Sequence, residues 1–207
     1  MTQADQLHQG IEALGLALPS GVESLLLGYL SLLTKWNRTY NLTAVRDEAE
    51  IVTHHLLDSL TLVPFLTDTS TLADVGSGAG LPAIPLAIAC PKIQIVSFET
   101  VQKKAAFQQQ ARIELRLDNL SVRCARVERE RGVFEVVTSR AFASLTDFVG
   151  LAGHLVRDGG RMLAMKGVYP ADEIADLPPG WCVGNAIELK VPGLDARRHL
   201  IVLQRKA

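Results

Sequence analysis

The chain has 207 residues, of which 48% are hydrophobic and 21% charged, the balance of one good-sized globular domain. Its formal net charge of −1 argues against a protein that holds naked nucleic acid along its whole length, because such proteins usually carry a basic surplus. The apolar runs are shorter than the roughly 20 residues that cross a bilayer, and the N-terminus lacks signal-peptide features, so we expect a cytoplasmic protein. The three cysteines are far apart, so we expect neither a disulfide framework nor a metal site.

The first 69 residues are predicted to form a helical extension. Ser20 and Glu23 have the spacing of a helix-capping box. The apolar residues that follow recur at spacings of three and four, which predicts one buried stripe: Val22, Leu25, Leu26, Tyr29, Leu30, Leu33 and Trp36. We expect Trp36 to complete this core stripe rather than to stack on a base.

A second helix is predicted to start near Asp47 and Glu50, after a polar stretch over residues 37–46. Its apolar positions would carry Val52, Leu56, Leu60 and Val63 towards the core. Lys35, Asn37 and Asn41 are expected to shape the junction between the helices and the rest of the chain.

From residue 70 to residue 207 the pattern changes to strands that alternate with helices, and we treat this part as a second unit. Strands are predicted over 71–75, 93–98, 120–124, 134–138 and 161–165, and helices over 82–89, 102–115 and 145–156. Such alternation indicates a doubly wound parallel α/β sheet. The last two strands, 181–191 and 199–205, are joined by a short turn and must pair antiparallel, an ending that favours a methyltransferase over a dehydrogenase.

A glycine-rich turn follows the first predicted strand, with the sequence Asp74-Val75-Gly76-Ser77-Gly78-Ala79-Gly80. Glycine permits positive φ and lacks the Cβ that would keep a ligand away from the backbone. The acidic Asp74 would repel a pyrophosphate but attract an ammonium or sulfonium group.

Polar residues also follow the other predicted strands at the same edge of the sheet: Glu99, Arg140 and Lys166, with Arg126-Val127-Glu128 after the third strand. In open α/β sheets the ligand binds at this carboxyl edge. Glu99 lies 19 residues beyond Gly80, where an acidic side chain can accept hydrogen bonds from both ribose hydroxyls of an adenosine-type ligand. The alternative for Glu99 is a solvated residue at the end of a strand. The alternative for the glycine loop is a dinucleotide site, because Gly78, Gly80 and Ala83 have the GxGxxA spacing, but no nicotinamide-binding residues are evident downstream.

Beyond the glycine loop, the chain resembles the RsmG family, also called glucose-inhibited division protein B, from about residue 20 to the C-terminus. The resemblance is carried, in the family's order, by Lys35-Trp36-Asn37, Tyr40-Asn41-Leu42-Thr43, His54-His55-Leu56-Leu57-Asp58-Ser59, Asp74 to Pro82, Ser139-Arg140-Ala141-Phe142-Ala143 and Leu163-Ala164-Met165-Lys166-Gly167. Two mild departures are Glu99-Thr100, where the family usually has Asp followed by Ser, and Ala83, where it often has Gly.

The resemblance implies a class I, Rossmann-like methyltransferase that uses S-adenosyl-L-methionine to methylate N7 of a guanine, position 527 in the 530 loop of 16S ribosomal RNA. It places cofactor contacts at Gly76, Leu81, Val127, Glu128 and Arg140. Together with the sequence argument, the expected cofactor set is Asp74, Gly76, Gly78, Gly80, Leu81, Glu99, Val127, Glu128 and Arg140. We further expect a monomer that acts on the 30S subunit.

Guanine N7 carries no hydrogen, so we expect catalysis by orientation, without a general base. Arg140 and Lys166 are placed against the cofactor carboxylate or RNA phosphates, because either cation would repel a sulfonium. His54 and Asp58, four residues apart, share one helix face and either line the cleft or form a local pair. The roles of Lys103, Lys104, Arg197 and Arg198 stay open between an RNA-binding patch and a solvated surface.

Three functional hypotheses remain at this point. They are a ribosomal RNA N7-methyltransferase, a methyltransferase of another RNA, small molecule or protein, and a protein that binds S-adenosylmethionine or RNA without catalysis.

Overall fold

The fold is described from a computed structural model, which covers residues 1–45, 47–141 and 144–206, with only the backbone of Glu48 and Ala49. Arg46 of the predicted polar stretch, and Phe142 and Ala143 of one family segment, lie outside the described residues.

The centre of the molecule is a seven-stranded mixed sheet in the order β3-β2-β1-β4-β5-β7-β6. The strands are β1 (Thr71–Val75), β2 (Gln94–Glu99), β3 (Leu120–Cys124), β4 (Phe134–Arg140), β5 (Val156–Lys166), β6 (Trp181–Glu188) and β7 (His199–Arg205). Strands β1 to β5 pair parallel, whereas β7 is antiparallel to both β5 and β6. The predicted doubly wound sheet with an antiparallel ending is therefore confirmed.

The helices are α1 (Gln3–Ala13), α2 (Val22–Tyr40), α3 (Glu48–Ile51), α4 (Asp58–Leu60), α5 (Ala83–Ala89), α6 (Gln102–Glu114), α7 (Leu145–Ala152) and α8 (Ala171–Ala175). The helices predicted from the sequence are present to within a few residues, and α1 and α8 are additional. A π-helical segment, Val52–Leu57, joins α3 to α4 without a break in the chain direction. Within the described ranges, no helix is long and apolar enough to cross a membrane.

The predicted capping box at Ser20 and Glu23 is wrong. Helix α2 begins after Gly21, whose φ of 83° is left-handed, and no side chain caps its first turn. A capping box is present instead at the start of α1, between Thr2 and Asp5.

The prediction also ended the last helix of the parallel region too late. Helix α7 stops at Ala152, and β5 already starts at Val156, so Val156, which we assigned to the helix, belongs to the sheet. Glu99, Arg140 and Lys166 are the final residues of β2, β4 and β5 rather than the residues after them.

Two buried apolar clusters lie on opposite faces of the sheet. Alternate residues of β5 divide between them, with Leu163 and Met165 in one cluster and Met162 and Ala164 in the other, as the pleat of a strand requires. The first cluster also contains the buried residues of α1 and α2. The apolar core is therefore continuous across the division that we predicted at residue 69, and that division stays a prediction.

Candidate active site

The glycine loop leaves β1 at the point where the strand order reverses between β1 and β4. Gly76, Gly78 and Gly80 all have positive φ, at 71°, 58° and 84°. At Gly80 a Cβ would also lie only 2.4 Å from Cδ1 of Ile84, so glycine is required there by packing as well as by conformation. The loop conformation that the glycines predicted is therefore present at the carboxyl edge of the sheet.

Two buried side chains from flanking helices donate hydrogen bonds to carbonyl groups of this loop. Gln108 of α6 donates its Nε2–H to the Gly78 carbonyl at 2.9 Å, and its Oε1 accepts from the Ser97 hydroxyl. The Tyr29 hydroxyl of α2 donates to the Ala79 carbonyl at 2.7 Å. Sequence reasoning missed both residues, because Tyr29 was assigned only to the apolar stripe and Gln108 gave no signal.

Asp74 faces the protein interior rather than a solvent-filled pocket. It is fully buried, and its Oδ2 accepts the backbone N–H of Ala83 at 3.1 Å. No partner among the described residues reaches its Oδ1. Burial raises the pKa of this carboxyl to about 6, against the lowering effect of its hydrogen bonds. In this arrangement Asp74 braces the first turn of α5.

Glu99 is also engaged by the backbone. Its Oε2 accepts the Gly78 N–H and its Oε1 accepts the Val101 N–H, each at 2.8 Å, and the residue is 5% exposed. A carboxylate oxygen can accept two hydrogen bonds, so these contacts leave acceptor capacity for ribose hydroxyls. Glu99 thus fixes the loop whether or not it also holds a ligand.

A cavity of about 210 Å³ opens beside the loop. Gly76, Phe98, Val127 and Glu128 are among its lining residues, which brings three of the predicted cofactor residues together. Leu81 lies elsewhere: its side chain is buried in the core, so only its backbone could reach a ligand. The apolar ring of Phe98 and the backbone around Val127 fit the adenine end of an adenosine ligand.

A larger cleft of about 400 Å³ lies at the same edge of the sheet, between the helical extension and the ends of β4 and β5. All four predicted cleft residues, His54, Asp58, Arg140 and Lys166, line it. Arg198 also lines it, although the sequence left that residue's role open.

An ion cluster centred on Asp58 forms one wall of this cleft. Arg140 Nη1 donates to Asp58 Oδ2 at 2.9 Å and to the His54 carbonyl at 2.7 Å, while Arg198 Nε donates to Asp58 Oδ1 at 3.2 Å. His54 and Asp58 therefore line the cleft rather than form a local pair. Arg140 is held by an ion pair, which leaves its role towards the cofactor or RNA as a prediction.

Lys166 is held in the same way. Its Nζ lies 2.7 Å from Oε2 of Glu173, and that same oxygen accepts the backbone N–H of Leu145 at 2.7 Å. Of the four residues whose roles stayed open, Lys103 and Arg197 are exposed, whereas Lys104 and Arg198 are half-buried.

His55 is a further cleft residue that the sequence did not single out. It is 3% exposed, its Nε2 is 2.9 Å from the Thr43 hydroxyl, and its Nδ1 has no partner among the described residues. Burial and the nearby Arg140 lower the pKa of His55 to about 4, so the ring is neutral at physiological pH. The sequence prediction of residues on one helix face used the neighbouring His54. The different environments of His54 and His55 became apparent only with the π-helical segment that contains both.

The strand order, the glycine loop and the adjoining cavities define a class I S-adenosylmethionine-dependent methyltransferase fold. Among solved structures, the chain is similar to TrmN from Thermus thermophilus (TM-score 0.60, 18% identity, 72% of this chain and 48% of that chain). It is also similar to a SAM-dependent methyltransferase from Aquifex aeolicus (TM-score 0.56, 14% identity, 76% of this chain and 93% of that one).

The family is shown by sequence. The family model described as rRNA small subunit methyltransferase G (GidB) matches residues 22–201, and the chain belongs to this family. It is 56% identical to ribosomal RNA small subunit methyltransferase G of Aromatoleum aromaticum, over 98% of this chain and 99% of the relative. It is 52% identical to the protein of that name in Neisseria meningitidis, over the full length of both.

Proposed function

We propose that this protein transfers the methyl group of S-adenosyl-L-methionine to N7 of a guanine in 16S ribosomal RNA. The family and its relatives are small-subunit ribosomal RNA methyltransferases, and the glycine loop supports the choice of cofactor. The finer parts of the proposal are the guanine at position 527 of the 530 loop, the 30S particle as substrate, a monomeric enzyme and a cytoplasmic location.

The single observation that carries the site assignment is that two cavities open at the same, carboxyl edge of the sheet. The smaller cavity, with Gly76, Val127 and Glu128, would hold the adenosine part of the cofactor, with Glu99 at the ribose. The larger cleft, with Arg140, Lys166, His54 and Asp58, would receive the acceptor nucleotide. Asp74 would act by supporting the loop.

Bound S-adenosylmethionine supplies an electrophilic methyl group on a positively charged sulfur. Guanine N7 has a lone pair without a hydrogen, so the chain need not remove a proton before attack. The residues of the cleft then act by orientation, holding N7 in line with the reacting bond at roughly 3–3.5 Å. The pairing of Arg140 with Asp58 reduces the repulsion that an unpaired guanidinium would exert on a sulfonium.

The test is a methyl-acceptor assay with tritiated S-adenosylmethionine. Three acceptors are compared: 30S particles from a strain that lacks the gene, free 16S RNA from that strain, and a small-molecule extract. Label recovered as 7-methylguanosine in the 530 loop supports the proposal. A failure of the 30S particles to take up label at guanine N7 refutes it, and label in the extract alone favours a small-molecule methyltransferase.

A further inference from the structure

Two exposed apolar residues directly follow, along the chain, two residues that line the larger cleft. Lys166 and Gly167 line the cleft, and the next two residues, Val168 and Tyr169, are 71% and 51% exposed. Scattered apolar residues on a surface are ordinary and need no function. Their position and the way the Tyr169 ring is held distinguish this pair.

The Tyr169 ring has an aromatic neighbour that orients it. It packs edge-on against the His199 ring, with centroids 5.8 Å apart and an angle of 72° between the planes. Nδ1 of His199 is itself 2.9 Å from the Gly167 carbonyl. The backbone at this ring is held as well, because Pro170 is buried and the Ala171 N–H donates to the Tyr169 carbonyl at 3.1 Å. A ring that is already oriented loses little conformational entropy when a partner packs on it.

The charges beside this ring suit an anionic partner. Arg140, Lys166 and Arg198 line the cleft with Asp58, and Glu173 pairs with Lys166, so three cationic side chains stand against two carboxylates. Arg198 reaches the rim, because its Nη1 lies 4.0 Å from the place of a Cβ at Gly167. An aromatic face next to cations is the pattern that binds unpaired nucleotides: the base stacks on the ring and the phosphate meets the cation.

We propose that Val168 and Tyr169 form a stacking platform for an unpaired base that neighbours the acceptor guanine in the RNA substrate. The platform would bind substrate without touching the reacting atoms. Tyr169 would stack through its ring, and Val168 would extend the apolar surface. This inference rests on the proposed function, since it assumes that an RNA enters the larger cleft.

The test measures steady-state kinetics on 30S particles for Tyr169→Ala and Tyr169→Phe. Loss of one base–aromatic stack should raise KM for the particle about tenfold in Tyr169→Ala, whereas Tyr169→Phe keeps the ring and should remain close to wild type. The kcat and the Kd for S-adenosylmethionine should not change. Val133→Ala is the matched control, because Val133 is also exposed (68%) but precedes β4 at the opposite edge of the sheet.

Three results would overturn the platform: an unchanged KM in Tyr169→Ala, an equal defect in Tyr169→Phe, or an equal defect in Val133→Ala. The wild-type measurement distinguishes a failure of the platform proposal from a failure of the proposed function. If the wild-type protein methylates the particle and Tyr169→Ala behaves like it, only the platform is refuted. If the wild-type protein does not methylate the particle at all, the proposed function itself has failed.

Discussion

Asp74 and His55 are buried titratable residues whose pKa values move in opposite directions. Burial raises the pKa of Asp74 from 3.8 to about 6 and lowers that of His55 from 6.5 to about 4. The contribution of Asp74 to stability is fully present below pH 3.8 and is lost as pH rises through about 6. The contribution of His55 is fully present above pH 6.5 and is lost as pH falls through about 4. The two effects offset each other over the same pH range.

Substitution of either residue should therefore expose the effect of the other. Relative to wild type, the unfolding free energy of Asp74→Asn should rise as pH increases from 4 to 6.5, and that of His55→Gln should fall. Each difference should reach about 3 kcal/mol at full extent. Urea unfolding at several pH values measures both, and differences that do not vary with pH would contradict the burial argument.

Arg140 is the cleft residue for which we expect the largest functional effect. Arg140→Ala removes the guanidinium that pairs with Asp58 and leaves that buried carboxylate with Arg198 alone. We expect kcat/KM to fall by about 100-fold or more, or binding of the cofactor to weaken by a similar factor. Calorimetric titration with S-adenosylmethionine and single-turnover methylation separate the two. Arg140→Lys tests whether charge alone suffices, and an unchanged affinity and rate in Arg140→Ala would refute the role.

At the scale of elements, helix α2 holds the glycine loop directly through a hydrogen bond. The Tyr29 hydroxyl holds the Ala79 carbonyl from the helical extension, while Gln108 holds the preceding carbonyl from α6. Tyr29→Phe removes one donor and leaves a buried carbonyl unsatisfied, at a cost of about 1–3 kcal/mol of stability. A less ordered loop should also raise the Kd for S-adenosylmethionine by about five- to tenfold, measured by calorimetry.

Leu33→Ala is the control for this prediction. Leu33 is fully buried in the same helix, so its truncation should cost about 2–5 kcal/mol of stability. Its Kd should stay at the wild-type value at temperatures where both variants are folded. An equal rise in Kd for both variants would mean that Tyr29 acts only through general stability.

Asp58 joins three elements that are remote in sequence: Arg140 is 82 residues away and Arg198 is 140 residues away. Asp58→Asn leaves two guanidinium groups without their carboxylate, and we expect a loss of about 2–4 kcal/mol, somewhat reduced because both arginines are partly exposed. Chemical unfolding measures this loss. The more exposed pair Arg123–Glu130, with side chains 49% and 21% exposed, is the control, where Glu130→Gln should cost less than about 1 kcal/mol.

A double-mutant cycle shows whether the charges themselves are responsible. Asp58→Asn combined with Arg198→Met should cost at least about 0.5 kcal/mol less than the sum of the two single variants. Strictly additive losses would show that Asp58 acts through packing alone.

Elements and contacts that depend on residues close together in the sequence could mostly be predicted, whereas those that depend on distant residues could not. The strands over 71–75 and 120–124 were predicted to the residue, because short buried runs bounded by turn residues are local signals. The capping box at Ser20 failed because Gly21 takes a left-handed conformation that the spacing does not encode. The partners of Asp58 could not be predicted, since they lie 82 and 140 residues away on segments whose approach is set by the whole sheet.

At the scale of the whole molecule, charge is distributed unevenly. The chain has 21 basic and 22 acidic residues, yet three cationic side chains line one cleft. Two of the cleft residues are already paired with Asp58, and Lys166 is paired with Glu173. Few phosphate contacts would therefore release counterions from a naked RNA, and the electrostatic part of the binding energy should be small.

This balance predicts that the assembled 30S particle is a better substrate than naked 16S RNA. At moderate salt, about 0.15 M KCl, kcat/KM for the particle should exceed that for the free RNA by about tenfold or more, because a folded RNA surface supplies the contacts that net charge does not. Matched assays with both acceptors from the same strain measure the ratio, and a salt series checks the small electrostatic contribution. Comparable rates on the two acceptors would contradict the prediction, since recognition would then depend on the cleft and the cofactor loop alone.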